Sequence, residues 1–151
     1  AQNTKGDSRF AYLCGLLADL GIAASLLVFG ELPEGPPPLF HLWPAMLEVH
    51  EEAAVAVGEA WALPEEVVAV IGAHHDSPSG PHAELQSTLA VAEEIAVLLG
   101  VHLGCQDPSW SPFLSQERFI LAREALGLTP AKFQIILKQC ASELAPPRRG
   151  A

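Results

Sequence analysis

The sequence predicts an all-α fold, a bundle of about six or seven helices in one domain. Apolar residues recur at the three- and four-residue spacing of helices, and clusters of proline and glycine separate the segments that show this spacing. No segment has the alternation of a strand, and no internal repeat is visible. With 151 residues, half of them hydrophobic, the chain is long enough to bury a core of its own.

The chain begins with a polar segment, residues 1–8, which we expect to be frayed. A nearly all-apolar helix is predicted from Arg9 to Val28, with Gly21 as the position where it can break or bend. The stretch is long enough to cross a bilayer, but Asp19 lies at its centre, where a charge costs about 2.5–3.5 kcal/mol on insertion. We therefore interpret it as a core helix. A turn-rich connector, "GELPEGPPP" (30–38), follows it.

Two helices are predicted next, a short one from Phe40 to Leu47 and a longer one from Glu48 to Trp61. One stripe of the longer helix is expected to face the core. It consists of His50, Ala54, Val57 and Trp61. Pro64 is well placed to open the following helix, which is predicted to end near His75. That helix carries Val67, Val70, Ile71 and His74 on one face.

The third quarter of the chain is predicted to hold one helix and one loop. The helix extends from Glu84 to Leu99, and Gly100 stops it. Residues 101–114, "VHLGCQDPSWSPFL", contain a cluster of turn formers. We expect them to form a loop on the surface.

Two helices complete the predicted bundle. Ser115 can cap a helix that ends at about Leu126. In "GLTP", Thr129 is the predicted N-cap of the last helix and Pro130 its first residue. The last helix extends to about Leu144, so the helical domain covers residues 9–145 and leaves 146–151 as a tail.

Charge and cysteine content limit the classes of partner and compartment. Eighteen acidic residues against eight basic ones give a net charge of −10. Phosphate backbones and anionic membranes repel such a chain, and no basic stripe is present. Cys14, Cys105 and Cys140 are odd in number and widely spaced, which favours reduced thiols in the cytoplasm over disulfides or a structural zinc site. The chain does not begin with methionine, and we interpret it as a piece of a longer protein.

Several polar residues stand out because they lie in apolar segments or on apolar faces. The candidate site residues are Asp19, His50, His74, His75 and Glu93. A carboxylate and several imidazoles are the ligand set of a divalent-metal site. Each residue also has a structural interpretation: an interior histidine with one good hydrogen bond, a satisfied carboxylate or, for Glu93, a solvated helix face. No Ser–His–Asp order, glycine-rich phosphate loop or dinucleotide fingerprint is present.

Four segments, in order and with matching spacing, resemble the HD superfamily and its branch HDOD, the HD-related output domain. "AYLCGLLADLGIAAS" resembles the superfamily segment "AF-x-x-GLLHDIGK". "HEEAAVAVGEAWALP" is similar to the HDOD pattern "H-x-x-x-G-x-x-L-x-x-W-x-LP", with His50, Trp61, Leu63 and Pro64 on matching positions. "VVAVIGAHHDSP" resembles "AI-x-x-HH-x-P", and "TLAVAEEIAVLLG" resembles "h-x-AD-x-x-A-x-x-x-G". The resemblance extends from about residue 10 to residue 144.

This resemblance implies an HD-domain-like helical bundle in a bacterial signalling protein, often fused to receiver or cyclic-di-GMP-related domains. HD phosphohydrolases hold a divalent ion with His, then His-Asp, then Asp, and the ion activates water against a phosphoester. The present chain departs from that ligand set. Ala18 replaces the histidine of the HD pair, Glu93 aligns with the final Asp, and no histidine precedes the first helix.

The residues and the resemblance together predict a non-catalytic signalling or regulatory module with no cofactor. It would act in the cytoplasm through contacts with signalling proteins or with domains of the same full-length chain, and not with nucleic acid or membranes. In that case the five candidate residues are relics, and Asp19 hydrogen-bonds His50 or His74, directly or through water. The alternative is a phosphodiesterase-like phosphohydrolase with Mn, Fe or Zn held by a rearranged set of the same five residues.

Overall fold

The computed structural model describes residues 8–101 and 116–144, and these contain helices and irregular segments but no β-strand. The α-helices are α1 (Ser8–Leu17), α2 (Leu20–Gly30), α3 (Leu39–Ala60), α4 (Glu65–Ile71), α5 (Ala83–Leu98), α6 (Gln116–Ala125) and α7 (Pro130–Leu144), and a 3-10 helix, Gly80–His82, precedes α5. The all-α prediction is therefore confirmed. The segments predicted over 1–8, 101–114 and 146–151 lie almost wholly outside the described residues.

The apolar stretch predicted as one helix forms two, α1 and α2, and the break lies at Ala18–Asp19. Asp19 is the N-cap residue of α2, and its carbonyl oxygen accepts the first N–H groups of that helix. Gly21, the expected break point, has a different role. A Cβ atom at Gly21 would lie 1.7 Å from the carbonyl oxygen of His50, so the glycine lets α2 pack directly against the α3 backbone.

The two helices predicted over 40–47 and 48–61 are one continuous helix, α3, with Pro44 inside it. A proline removes one backbone hydrogen bond and normally bends or ends a helix. Pro44 is exposed, whereas neighbouring side chains of the same helix are buried against Ile22 of α2. These side chains are Leu42, Trp43 and Met46. Their packing offsets the loss of the hydrogen bond and keeps the helix continuous.

The predicted burial of Trp61 is wrong, because its side chain is 60% exposed. The helix ends at Ala60, which makes Trp61 the C-cap residue, and the chain turns away through Ala62 at a positive φ of 52°. The residue that continues the buried stripe of His50 and Ala54 is Gly58.

The segment after α4 is a turn and not helix, since α4 ends at Ile71 and the predicted end was near His75. Gly72 holds this turn against α3, because a Cβ atom at Gly72 would lie 2.2 Å from Cγ2 of Val55. The close approach brings His74 and His75 beside the middle of α3.

Two local predictions about helix ends are confirmed. Gly100 follows the C-cap of α5 with a positive φ of 68°, the conformation in which glycine commonly ends a helix. Thr129 caps α7: its hydroxyl accepts the N–H of Lys132 at 3.3 Å, and Pro130 is the first helical residue. Pro64, expected as the first residue of α4, is its N-cap residue.

Within residues 8–101 and 116–144, the core consists of three clusters of buried apolar side chains. The first joins α1, α3, α4 and α5 and contains Cys14, Ala18, Ala54, Val67, Val70, Ile71 and Leu89. The second joins α5, α6 and α7 and contains Ala90, Val91, Ile95, Phe119, Ala122 and Phe133. The third joins α2 to α3 through Ile22, Leu42, Trp43 and Met46. α3 and α5, which carry His50 and Glu93, therefore each pack into two of these clusters.

Candidate functional site

Three of the five candidate residues come together in one cluster, which we call the histidine cluster: His50, His74 and His75. His50 projects from the middle of α3, and the other two lie in the turn after α4. Nε2 of His75 is 3.1 Å from Nε2 of His50. The ring centroids of His74 and His75 are 4.0 Å apart, and each lies about 5 Å from that of His50: 5.1 Å for His74 and 5.0 Å for His75.

Backbone hydrogen bonds fix the orientation of two of these rings. Nδ1 of His50 donates to the carbonyl oxygen of Leu47 at 2.7 Å, and Nδ1 of His74 donates to that of Ile71 at 2.7 Å. Each ring therefore carries its proton on Nδ1 and presents the lone pair of Nε2. The Nε2 atom of His74 is buried and makes no hydrogen bond within the described part of the chain.

Burial keeps His74 and His75 uncharged at neutral pH. His50 and His74 are only 1% and 2% exposed. Burial lowers the pKa of His74 to about 4, although its hydrogen bond to Ile71 works in the opposite direction. Burial, with the nearby His74 and His50, lowers the pKa of His75 to about 2. Neutral imidazole is the form that binds metal ions.

Glu51 supports the turn that carries the two adjacent histidines, and the sequence analysis missed it. Its Oε1 accepts the backbone N–H of His75 at 3.0 Å and lies 3.5 Å from Nδ1 of His74. In the sequence Glu51 is one of two adjacent glutamates, a pattern typical of a solvated helix face. The Glu51 carboxylate can hold this turn only because the chain after α4 lies beside α3.

Glu93 is half-buried, and its carboxylate interacts with a residue outside the histidine cluster. It forms an ion pair with Arg118 of α6, whose side chain is only 2% exposed. Burial raises the pKa of Glu93 to about 7, and the Arg118 guanidinium offsets part of that rise. Arg118 is the second functional residue that sequence reasoning missed, because nothing in "SQERFILAREA" marks it as buried.

Asp19 is half-buried, and its charge acts on the histidine cluster. Nδ1 of His50 and Nδ1 of His74 bind backbone carbonyls of their own segments. The hydrogen bond from Asp19 to His50 or His74 stays a prediction. The charge still acts at a distance, since it opposes the lowering of the pKa of His74 by burial.

The donor atoms of the histidine cluster suit one chemical role. One ligand nitrogen from each ring can be chosen so that all three lie within 4.8 Å of one another. Neutral imidazole nitrogens are preferred ligands of Zn²⁺ and neighbouring divalent transition metals. Glu93, one carboxylate of the predicted set, is paired with Arg118 instead.

A separate apolar cavity of about 450 Å³ lies between α5 and α7. None of the five candidate residues lines it, and its wall is formed mainly by aliphatic side chains such as Val91, Ile95 and Ile136. Among its described lining residues, only Thr88, Cys140 and Glu143 carry polar side-chain groups of the kind that fix a ligand's orientation. The histidine cluster therefore stays the candidate functional site.

Comparison of the chain with models of known protein families, with curated proteins and with solved structures found no match.

Proposed function

We propose that this chain is a non-catalytic regulatory module of the HDOD type, which acts in the cytoplasm of a bacterium through contacts with signalling proteins or with other domains of its own full-length chain. The proposal begins from the four sequence segments that resemble that branch. Two features of the structure support it, one at the candidate site and one on the surface.

The observation that carries the proposal is the ion pair between Glu93 and Arg118. At the position where the resemblance implies a metal-binding Asp, this chain has a carboxylate neutralised by a buried guanidinium. Ala18, at the position of the histidine of the HD pair, is packed into the core. Ala18 therefore contributes to the core and Glu93 to an ion pair, in place of the ligands that would hold a hydrolytic metal ion.

An exposed apolar surface on α1 and α2 supports the second half of the proposal, contact with other proteins. The large side chains that it presents are Tyr12, Leu16, Leu26, Leu27 and Val28, which are 44–75% exposed. Exposed apolar side chains that form one patch mark sites of protein–protein or membrane interaction. The net charge of −10 favours the protein partner over an anionic membrane.

The alternative, a metal-dependent phosphohydrolase, has one observation in its favour, the convergence of the three imidazoles. Catalysis by such an enzyme would need a bound ion that activates water next to a phosphoester. A hydrolysis assay separates the two functions. Tag-free protein, loaded in turn with Mn²⁺, Fe²⁺ or Zn²⁺, is incubated with p-nitrophenyl phosphate, its bis-ester, cyclic di-GMP and nucleoside phosphates.

We expect no turnover above that of a His75→Gln variant treated in the same way. His75 is a suitable position for this control because its ring is only half-buried and its removal leaves the apolar core intact. Hydrolysis by the wild-type protein that is lost in the variant would contradict the proposed function and favour the phosphohydrolase.

A further inference from the structure

We propose that His50, His74 and His75 form a binding site for one divalent transition-metal ion of the Zn²⁺ class. The inference deepens the proposed function, and rests on it for one point only, that occupancy of the site serves regulation. The site differs from the ligand set implied by the family resemblance, because it uses neither Asp19 nor Glu93.

The hydrogen bonds of two rings are those of metal-binding histidines. Histidines that bind metals usually donate their second ring N–H to a carbonyl or carboxylate, which fixes the tautomer and aims the other nitrogen. His50 and His74 both do so, through Nδ1 to Leu47 and Ile71 at 2.7 Å. Two rings from different segments thus present Nε2 lone pairs.

The buried Nε2 atom of His74 also favours a bound ion. The side chain of His74 has no exposed surface, and its Nε2 makes no hydrogen bond among the residues described. Buried polar atoms are normally hydrogen-bonded or bound to an ion, because leaving them unsatisfied is costly. A metal ion at this position would satisfy the lone pair.

The separation of two donor atoms also fits a metal ion. Two ligands of a tetrahedral ion lie about 3.3 Å apart when each metal–nitrogen distance is about 2.0–2.1 Å. Nε2 of His75 is 3.1 Å from Nε2 of His50, close to that separation. When His75 binds an ion through Nε2, its ring proton moves to Nδ1, so this ring loses no proton.

The ligand type and surroundings define the class of ion. Three imidazoles without a coordinating carboxylate favour Zn²⁺, Co²⁺ or Ni²⁺ over Mg²⁺ or Ca²⁺, which prefer oxygen ligands. Glu51 would act one step further out, because it holds the backbone of His75 and lies beside Nδ1 of His74. A bound ion would tie the turn after α4 to α3, and this coupling would be the regulatory consequence.

The test is a metal titration of the tag-free chain after treatment with EDTA and dialysis. CoCl₂ is added first and followed by visible absorption, because four-coordinate Co²⁺ gives intense d–d bands, and ZnCl₂ is then added under calorimetry. We expect one ion per chain. The His75→Gln variant should bind more than about 100-fold more weakly, and Glu51→Gln about 10–100-fold more weakly, as for a residue that orients a ligand.

His41→Gln is the matched control, since His41 is an exposed histidine of the same helix α3, and it should bind as the wild type does. Circular dichroism confirms that each variant is folded. Absence of both the Co²⁺ bands and the Zn²⁺ heat would overturn the inference, as would equal affinity in His75→Gln or binding abolished by alkylation of the cysteines. If no metal ion binds, the metal site is contradicted but the proposed regulatory function is not. If the protein hydrolyses phosphoesters, the regulatory function is contradicted but the metal site is not.

Discussion

At the scale of single residues, the chemistry of the site follows from the burial of His74. The surroundings lower the pKa of this ring from 6.5 to about 4, with burial as the main cause. The unfolded chain therefore takes up a proton as the pH falls below 6.5, whereas the folded chain does not until about pH 4. Because the unfolded state binds more protons in this window, the folded state loses stability as the pH falls.

We predict that this histidine makes the metal-free protein sensitive to mild acid. In the presence of EDTA, its contribution is complete above pH 6.5 and lost by about pH 4, a change on the order of 3 kcal/mol. His75 acts in the same direction, whereas Glu93, whose pKa is raised, acts in the opposite one as the pH rises from 4.5 to 7. Urea unfolding at several pH values gives the dependence. His74→Gln should have the shallower slope, and parallel curves for variant and wild type would contradict the assignment.

At the scale of helices, the contact between α2 and α3 depends on one glycine. The space for a Cβ atom at Gly21 is already filled by the carbonyl group of His50, which is backbone and cannot move aside cheaply. Gly15 of α1 is also a glycine inside a helix, but nothing lies within 4 Å of its Cβ position. Substituting alanine at each glycine therefore distinguishes the effect of the close contact, at Gly21, from the effect of helix propensity, at Gly15.

We predict opposite results for the two glycine-to-alanine substitutions. Gly21→Ala should push α2 away from α3 and lower the free energy of unfolding by about 3 kcal/mol or more, the upper range for overpacking. Gly15→Ala should raise it by up to about 1 kcal/mol, because alanine favours helix. Thermal unfolding of both variants measures the difference. If Gly21→Ala melts at or above the wild-type temperature, the close contact between the two helices is refuted.

Elements with local signals could be predicted from the sequence, and those that depend on a distant contact could not. The Thr129 cap and the Gly100 stop require only neighbouring residues, and both are confirmed. The continuity of α3 through Pro44 depends on packing against α2, and the exposure of Trp61 depends on a helix ending one residue earlier. At the site, periodicity placed His50 and His74 on buried faces. The partners Glu51 and Arg118 became apparent only in three dimensions.

At the scale of the whole molecule, α1 and α2 leave large apolar side chains exposed in the described fold. Leu27 of α2 is 75% exposed, the highest value among them, whereas Gln139, also exposed, lies on α7. The stretch Ser8–Gly30 also satisfies the length and hydropathy criteria of a membrane span, as the core helices of soluble proteins and signal sequences do, and 28% of its most apolar window is buried.

We predict that these exposed side chains of α1 and α2 contact another protein or another domain of the same chain. A photo-crosslinking amino acid at Leu27, in the protein as its own cells express it, should give an adduct with another protein or with another domain of the same chain. The same amino acid at Gln139 should give little or none. Mass spectrometry of the adducts identifies the partner, and adducts with lipid at Leu27 would assign the surface to a membrane.

The break at Ala18–Asp19 sets the conditions under which a membrane could compete with the fold. With a rise of about 1.5 Å per residue, the 10 residues of α1 extend about 15 Å and the 11 residues of α2 about 16 Å. Each is half the thickness of a hydrocarbon core of about 30 Å. Only a single straight helix of all 23 residues, about 35 Å long, would cross it. Insertion would therefore require the break to refold and α2 to leave α3, and so would separate Gly21 from His50 and disturb the histidine cluster.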